Sequence, residues 1–143
     1  MLLVDTNVWL AANDRSAREH QQCRALLVEH QAMLAAPVPV ITETSWMLLD
    51  RLGPASQSGF MRMVTSGRVT PIDLTTEDWE RVVELIEGYA SQQLDVIDAS
   101  IIAVAERLNL TEIATMNGRD FYVVRPKHCA GFTLLPDGIT RHA

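Results

Sequence analysis

The sequence has little cysteine, and its apolar residues never form a long run. The two cysteines, Cys23 and Cys129, lie far apart without metal-type spacing, so we expect reduced thiols that pack in the fold. Wholly apolar stretches are only a few residues long, whereas a helix that spans a bilayer needs about 20. The N-terminus also lacks the basic region of a targeting peptide. These absences predict a soluble, cytoplasmic protein that does not enter a membrane.

Positive charge is also scarce. Twelve Lys and Arg residues stand against eighteen Asp and Glu residues, which gives a formal net charge of −6, and Lys127 is the only lysine. This composition argues against binding nucleic acid through the overall field, because sequence-independent affinity comes mainly from basic side chains against phosphate. It also argues against a phospho-receiver domain, which needs a lysine at a strand end, since Lys127 lies in a loop-like segment. A metal site built from carboxylates would account for part of the negative charge.

Strands and helices alternate along the chain. A length of 143 residues, 48% of them hydrophobic, predicts a single domain over residues 1–143 that buries about two-thirds of its unfolded surface. Apolar runs predict strands at residues 1–4, 38–40, 69–72, 112–115 and 131–135. Periodicity predicts helices at residues 17–34, 41–49, 60–64, 77–90 and 94–108, and a first helix that Thr6 and Asn7 could cap. Such alternation predicts an α/β fold with a central parallel sheet and helices on both faces.

The densest apolar stripe lies in the last of these helices. Apolar side chains recur there at three- and four-residue spacing, at Ile97, Ile101, Val104, Ala105 and Leu108, which is typical of an amphipathic helix packed on a sheet. Asp95 and Asp98 stand at its start, where the helix dipole favours carboxylates. We predict Asp95 as the N-cap and Asn109 as the end of the helix.

Three carboxylates from distant parts of the chain could converge on one edge of the sheet. Asp5 ends the first strand, Glu43 falls in the first turn of a predicted helix, and Asp98 opens the helix just described. At ~5 Å and an effective dielectric of about 20, each pair repels by roughly 3 kcal/mol, which a divalent cation such as Mg²⁺ or Mn²⁺ would offset. Asp5 is hard to explain structurally, because a lone carboxylate after an apolar strand is costly to desolvate. Glu43 and Asp98 could instead merely favour a helix dipole.

Three segments together resemble a known family. They are LLVDTN at residues 2–7, VIDASIIAVAERL at residues 96–108 and ATMNGRDF at residues 114–121. Their order and spacing are similar to those of the PIN-domain ribonucleases, and most of all to the VapC-type toxins of bacterial toxin–antitoxin pairs. The resemblance covers nearly the whole chain.

The resemblance implies a metal-dependent endoribonuclease with a PIN fold. Asp5, Glu43 and Asp98 match acidic positions of the family, which implies that they bind Mg²⁺ (or Mn²⁺) and act in catalysis. It also implies an RNA substrate, an antitoxin protein as partner, and a homodimer. An apolar interface could come from Trp46, Met47, Leu48, Leu49 and Trp79, although ordinary core helices have the same pattern.

The chain departs from the family at the fourth acidic position. Asn117 stands where many relatives have an aspartate, and Asp120 follows three residues later. Asn117 could still offer a carbonyl oxygen or orient a water, but it adds no charge, so one metal or two are both open. Thr6 and Thr115 could hold waters or phosphate oxygens, or be ordinary cap and strand-end residues. The alternative function is a degenerate, non-catalytic PIN module that binds RNA or a protein partner.

Overall fold

Six strands form one sheet in the computed structural model, which describes residues 1–136 and 139–140. They are β1 (Leu2–Val4), β2 (Leu34–Pro37), β3 (Thr70–Ile72), β4 (Glu112–Ala114), β5 (Thr133–Leu135) and β6 (Ile139–Thr140). The sheet has the order β3-β2-β1-β4-β5-β6, with the first five strands parallel and β6 antiparallel to β5. The chain passes from β1 to one side of the sheet and later returns to the other, so the strand order reverses between β1 and β4. Open α/β sheets bind ligands at such a switch point.

Seven α-helices flank the sheet, which confirms the predicted α/β fold. They are α1 (Thr6–Asn13), α2 (His20–Glu29), α3 (Val38–Leu52), α4 (Pro54–Thr65), α5 (Thr76–Gly88), α6 (Val96–Leu108) and α7 (Gly118–Val123). A short 3₁₀ helix, Ala90–Gln92, lies before α6. Gly53 separates α3 from α4 in a left-handed conformation (φ 97°), which glycine adopts without the steric cost that a side chain adds.

Helix α6 lies in the middle of the core. Every residue from Asp98 to Ala105 is buried, so the middle of the helix is enclosed on all sides and does not have the two faces that its periodicity predicted. Asp95 caps it by accepting from the backbone N–H of Asp98 at 2.8 Å, and Asn109 ends it in a left-handed conformation, both as predicted. Because full burial of a branched side chain stabilises the fold by about 1.5–3 kcal/mol, α6 anchors whatever is attached to its first turn.

A helix lies within the predicted range 17–34 but is shorter, and the strand predicted over 38–40 is wrong because these residues begin a helix. Helix α2 ends at Glu29, and the strand is the small-residue segment Leu34–Pro37, whose alanines favour a helix by propensity but which is buried between two neighbouring strands. Pro37 and Pro39 do not break α3. They precede and enter its first turn, where a missing N–H costs nothing. Helix α3 therefore begins at Val38.

Other differences lie at element ends. Helix α4 begins six residues before the predicted 60–64 segment. The segment after β4 forms the short helix α7, which the sequence did not predict, and a sixth strand, β6, flanks β5. Cys23 and Cys129 are free thiols, as predicted. Among residues 1–136 and 139–140, no helix has the length and apolar character needed to cross a membrane. The rest of the predicted 1–143 domain lies outside the described residues.

Candidate active site

Asp5 lies at the carboxyl end of the central strand, with both carboxylate oxygens hydrogen-bonded. Its backbone N–H donates to the carbonyl oxygen of Ala114 in β4. Asp5 Oδ1 accepts from the N–H of Thr6 at 2.7 Å, so Asp5 itself caps α1, a role that the sequence had suggested for Thr6 or Asn7. Asp5 Oδ2 accepts from the Thr115 hydroxyl at 2.8 Å. The side chain is held in one orientation at the switch point of the sheet.

Burial makes the Asp5 charge costly. Only 4% of the residue is exposed, and burial raises the pKa of its carboxyl from 3.8 to about 6. The hydrogen bonds from Thr115 and Thr6 oppose that rise, while the charges of Glu43 and Asp95 add to it. A buried aspartate whose orientation is fixed by hydrogen bonds and whose pKa is nevertheless raised is typical of a functional site.

Asp98 faces the same region from the first turn of α6. It is 5% exposed, and its pKa rises to about 8, first because of burial and then because of the charges of Asp5, Asp95 and Asp120. A hydrogen bond between the carboxyls of Asp98 and Asp120 raises it further, because one of the two must carry a proton. The metal-free protein therefore retains a proton in this cluster near neutral pH, which a cation would displace.

Asn117 joins the two sides of the cluster. Its backbone N–H donates to Thr115 Oγ1 at 2.9 Å, and its side-chain Nδ2 donates to Asp120 Oδ2 at 2.7 Å. Thr115 in turn donates to Asp5, and Asp120 is bonded to Asp98. From sequence, Asn117 and Asp120 were alternatives for one position, but the structure places both in a single hydrogen-bonded chain.

Glu43 reaches the cluster from α3. Because α3 begins at Val38, Glu43 stands in its second turn and not in the predicted first turn, so the helix dipole does not explain it. It lines a cavity of about 270 Å³ together with Asp5, Asp98 and Asn117. All four residues predicted for the site thus open into one cavity.

Two further residues line the same cavity and were missed or undervalued in the sequence. Arg51 follows Glu43 and Met47 at four-residue spacing along α3, and that spacing was the signal that could have identified it. Thr6 is 4% exposed and its hydroxyl has no hydrogen-bond partner among the described residues, so it is available to a water or a phosphate oxygen.

The donor chemistry of the cavity fits a hard divalent cation. Within the described ranges no group of three or more His, Cys, Asp or Glu side chains is arranged to hold a metal ion. Mg²⁺, however, commonly takes one or two carboxylates and keeps several waters, which Asp5 and Asp98 satisfy. The raised pKa values of these two groups and the free hydroxyl of Thr6 agree with a place for a cation and its waters.

The comparisons place the chain among proteins of one fold. The family model described as PIN domain matches residues 2–126. Several solved structures are similar, among them the following three. VapC20 of Mycobacterium tuberculosis, titled a sarcin–ricin loop cleaving toxin, has a TM-score of 0.73 and 19% identity over 79% of this chain and 87% of that one. A toxin–antitoxin complex from Klebsiella pneumoniae has a TM-score of 0.66 and 25% identity, and the match covers 87% of this chain and 92% of that one. VapBC2 from Rickettsia felis, bound to promoter DNA, has a TM-score of 0.64 and 15% identity, and the match covers 93% of this chain and 96% of that one. No curated protein sequence matches the chain.

Proposed function

The chain belongs to the PIN domain family, and from that premise we propose that it is a metal-dependent endoribonuclease and the toxin of a toxin–antitoxin pair. The observation that carries the proposal is the buried acid pair Asp5 and Asp98, whose pKa values are raised to about 6 and about 8. Such a pair stabilises nothing by itself, because like charges in a desolvated site repel. It becomes useful when a cation and an anionic phosphodiester enter the cavity.

Each polar group of the cavity has a task in this reaction. Asp5 and Asp98 would hold Mg²⁺ or Mn²⁺, and Glu43, which lines the same cavity, would add negative charge. A bound divalent cation supplies a water of lowered pKa and neutralises charge that develops on the phosphate. Thr115 fixes the orientation of Asp5, and the free Thr6 hydroxyl binds a phosphate oxygen or the attacking water. Asn117 keeps Asp120 in place against Asp98.

The proposed partners are an RNA substrate, an antitoxin protein and a second copy of the chain. Support for the antitoxin comes from similar proteins that are found in toxin–antitoxin complexes. The exposed apolar residues Trp46 (63%), Trp79 (46%) and Leu49 (40%) are available to a protein partner. Leu48 is fully buried and belongs to the core, so its inclusion in a predicted interface was wrong.

The alternative is a PIN module that binds RNA or protein without cleavage. Asn117 favours it, because the amide brings no charge to the position where many relatives have a carboxylate. The two functions differ in their response to metal, since only an enzyme converts a bound cation into RNA cleavage.

Purified protein is incubated with total RNA in Mn²⁺, in Mg²⁺ and in chelator, alongside Asp98→Asn. Asp50→Asn is the matched control, because Asp50 is exposed on α3 and makes no hydrogen bond or ion pair within the described residues. We expect cleavage only with metal, unchanged in Asp50→Asn and at least about a hundredfold slower in Asp98→Asn, as for the loss of a few kcal/mol of electrostatic stabilisation. Retained cleavage in Asp98→Asn would contradict its role as a metal ligand. RNA binding without cleavage in any metal would favour the alternative.

A further inference from the structure

Helix α3 presents a line of three side chains to the acidic cavity. Glu43, Met47 and Arg51 are spaced by four residues, share one face of the helix and all line the cavity. The helical rise separates Glu43 from Arg51 by about 12 Å along the axis, so Arg51 lies at the far end of the cavity. Among the described residues that line the acidic cavity, Arg51 is the only one with a basic side chain.

Arg51 has no ion-pair partner among the described residues, although its charge helps to lower the pKa of the Asp14 carboxyl. Two other arginines are paired with carboxylates: Arg81 bonds to Glu106, and Arg107 bonds to Asp78. The guanidinium of Arg51 makes no hydrogen bond and no ion pair with any described residue, although carboxylates line the same cavity. A free guanidinium offers five donors in a planar fork that matches a phosphate.

A second cavity continues the first beyond Arg51. It has a volume of about 200 Å³ and shares Asn7, Leu10 and Arg51 with the acidic cavity. Two carboxylates, Asp14 and Glu19, also line it, and Asp14 accepts from the N–H and the hydroxyl of Ser16 at 2.9 and 2.6 Å. Arg51 therefore lies at the junction of two adjoining cavities.

We propose that Arg51 binds the phosphate adjacent to the scissile phosphate of a single-stranded RNA. The inference rests on the proposed nuclease function and names the subsite that holds the substrate in register. Four carboxylates line the acidic cavity, namely Asp5, Glu43, Asp95 and Asp98, and they oppose an entering polyanion. Arg51 compensates at the point where the strand leaves the metal end, so it is a positioning residue and not a catalytic one.

The test compares Arg51→Gln and Arg51→Lys with Arg68→Gln, a matched control that removes the same charge from an exposed arginine in a cavity elsewhere. In the Mn²⁺ assay on a short single-stranded RNA we expect Arg51→Gln to lose about tenfold in kcat/KM, mainly through KM, with Arg51→Lys in between. The slope of log kcat/KM against log salt should fall by about 0.7, as for one lost phosphate contact. Arg51 also favours the C-terminus of α3, but that role would lower stability and leave the salt slope unchanged.

A neutral methylphosphonate at the neighbouring phosphate provides the decisive substrate. Once the cleaved bond is mapped, this RNA should be cleaved equally by the wild type and Arg51→Gln, because the partner of Arg51 has been removed. An undiminished difference, or equal losses in Arg51→Gln and Arg68→Gln, would overturn the inference.

RNA binding in the Asp98→Asn background, measured by fluorescence anisotropy, separates this inference from the proposed function. Arg51→Gln should weaken that binding about tenfold whether or not the wild type cleaves. If the wild type cleaves RNA but Arg51→Gln changes neither kcat/KM nor RNA binding, the subsite is wrong and the nuclease function stands. If the wild type does not cleave, the function is wrong and the binding result alone decides the subsite.

Discussion

Asp98→Asn should stabilise the metal-free protein, and by an amount that grows with pH. In the unfolded chain the carboxyl has its ordinary pKa of 3.8, whereas in the folded protein the pKa is about 8. The folded state therefore binds more protons across this window, and the free energy of unfolding falls as pH rises from about 4 to about 8. Asparagine keeps the shape and can still donate a hydrogen bond to Asp120, but it does not titrate.

The magnitude follows from the width of the window. One pH unit inside it changes stability by at most about 1.4 kcal/mol, so the interval from pH 5 to pH 7 gives at most about 3 kcal/mol. Asp5 and Asp98 repel each other, so their titrations are coupled. We therefore expect the stability of Asp98→Asn relative to the wild type to increase by about 2 to 3 kcal/mol between pH 5 and pH 7. Both groups are nearly fully buried, so solvent screening does little to reduce this value.

Urea unfolding in chelator at pH 5, 6 and 7 measures the effect. The free energy of unfolding of Asp98→Asn should rise relative to that of the wild type at each step in pH. That of the exposed variant Asp50→Asn should stay within about 0.5 kcal/mol of the wild type throughout. Addition of Mn²⁺ at pH 7 should reverse the order, because only the wild type gains a charge that binds metal. Parallel stability curves for the wild type and Asp98→Asn would refute the electrostatic reasoning for this site.

Two more predictions concern the cation. Mn²⁺ or Mg²⁺ at a hundredfold excess over its dissociation constant should stabilise the wild type by about 2.7 kcal/mol, and equal melting temperatures with metal and with chelator would contradict a site at Asp5 and Asp98. Asn117→Asp removes the donor that lies 2.7 Å from Asp120 and adds a like charge, so it should lower the melting temperature in chelator yet tighten Mn²⁺ binding in calorimetry. Unchanged values in both measurements would place Asn117 outside the working site.

The sequence predicted the parts of the fold that local chemistry decides. The apolar stripe and caps of α6 identified it, and the apolar run before Asp5 identified β1. The strand Leu34–Pro37 was instead predicted at residues 38–40, because its alanines have low strand propensity and only its position between β1 and β3 makes it a strand. Tertiary pairing is not visible in a single sequence, so such a strand escapes detection by periodicity.

The same limit applies to the site. Asp5 was predicted because a carboxylate after an apolar strand is costly to desolvate, whereas Glu43 and Asp98, which could have favoured a helix dipole, were assigned from the resemblance. The bond from Thr115 to Asp5 joins residues 110 positions apart, and the bridge from Asn117 to Asp120 depends on α7, which the sequence did not predict. Arg51 carried a local signal, the four-residue spacing from Glu43, but that spacing acquires meaning only when both face one cavity.

The two central acids differ in how much structure depends on them. At α6 two residues divide these roles, because Asp95 caps the helix while Asp98 lines the cavity and is hydrogen-bonded to Asp120. At α1 a single residue does both, since Asp5 caps the helix with Oδ1 and presents Oδ2 to Thr115 at the metal end of the cavity. A substitution at Asp5 therefore mixes loss of a cap, worth about 0.5–2 kcal/mol, with loss of a ligand. Asp98 isolates the electrostatic contribution, so it is the position at which the chemistry of this site can be separated from its folding.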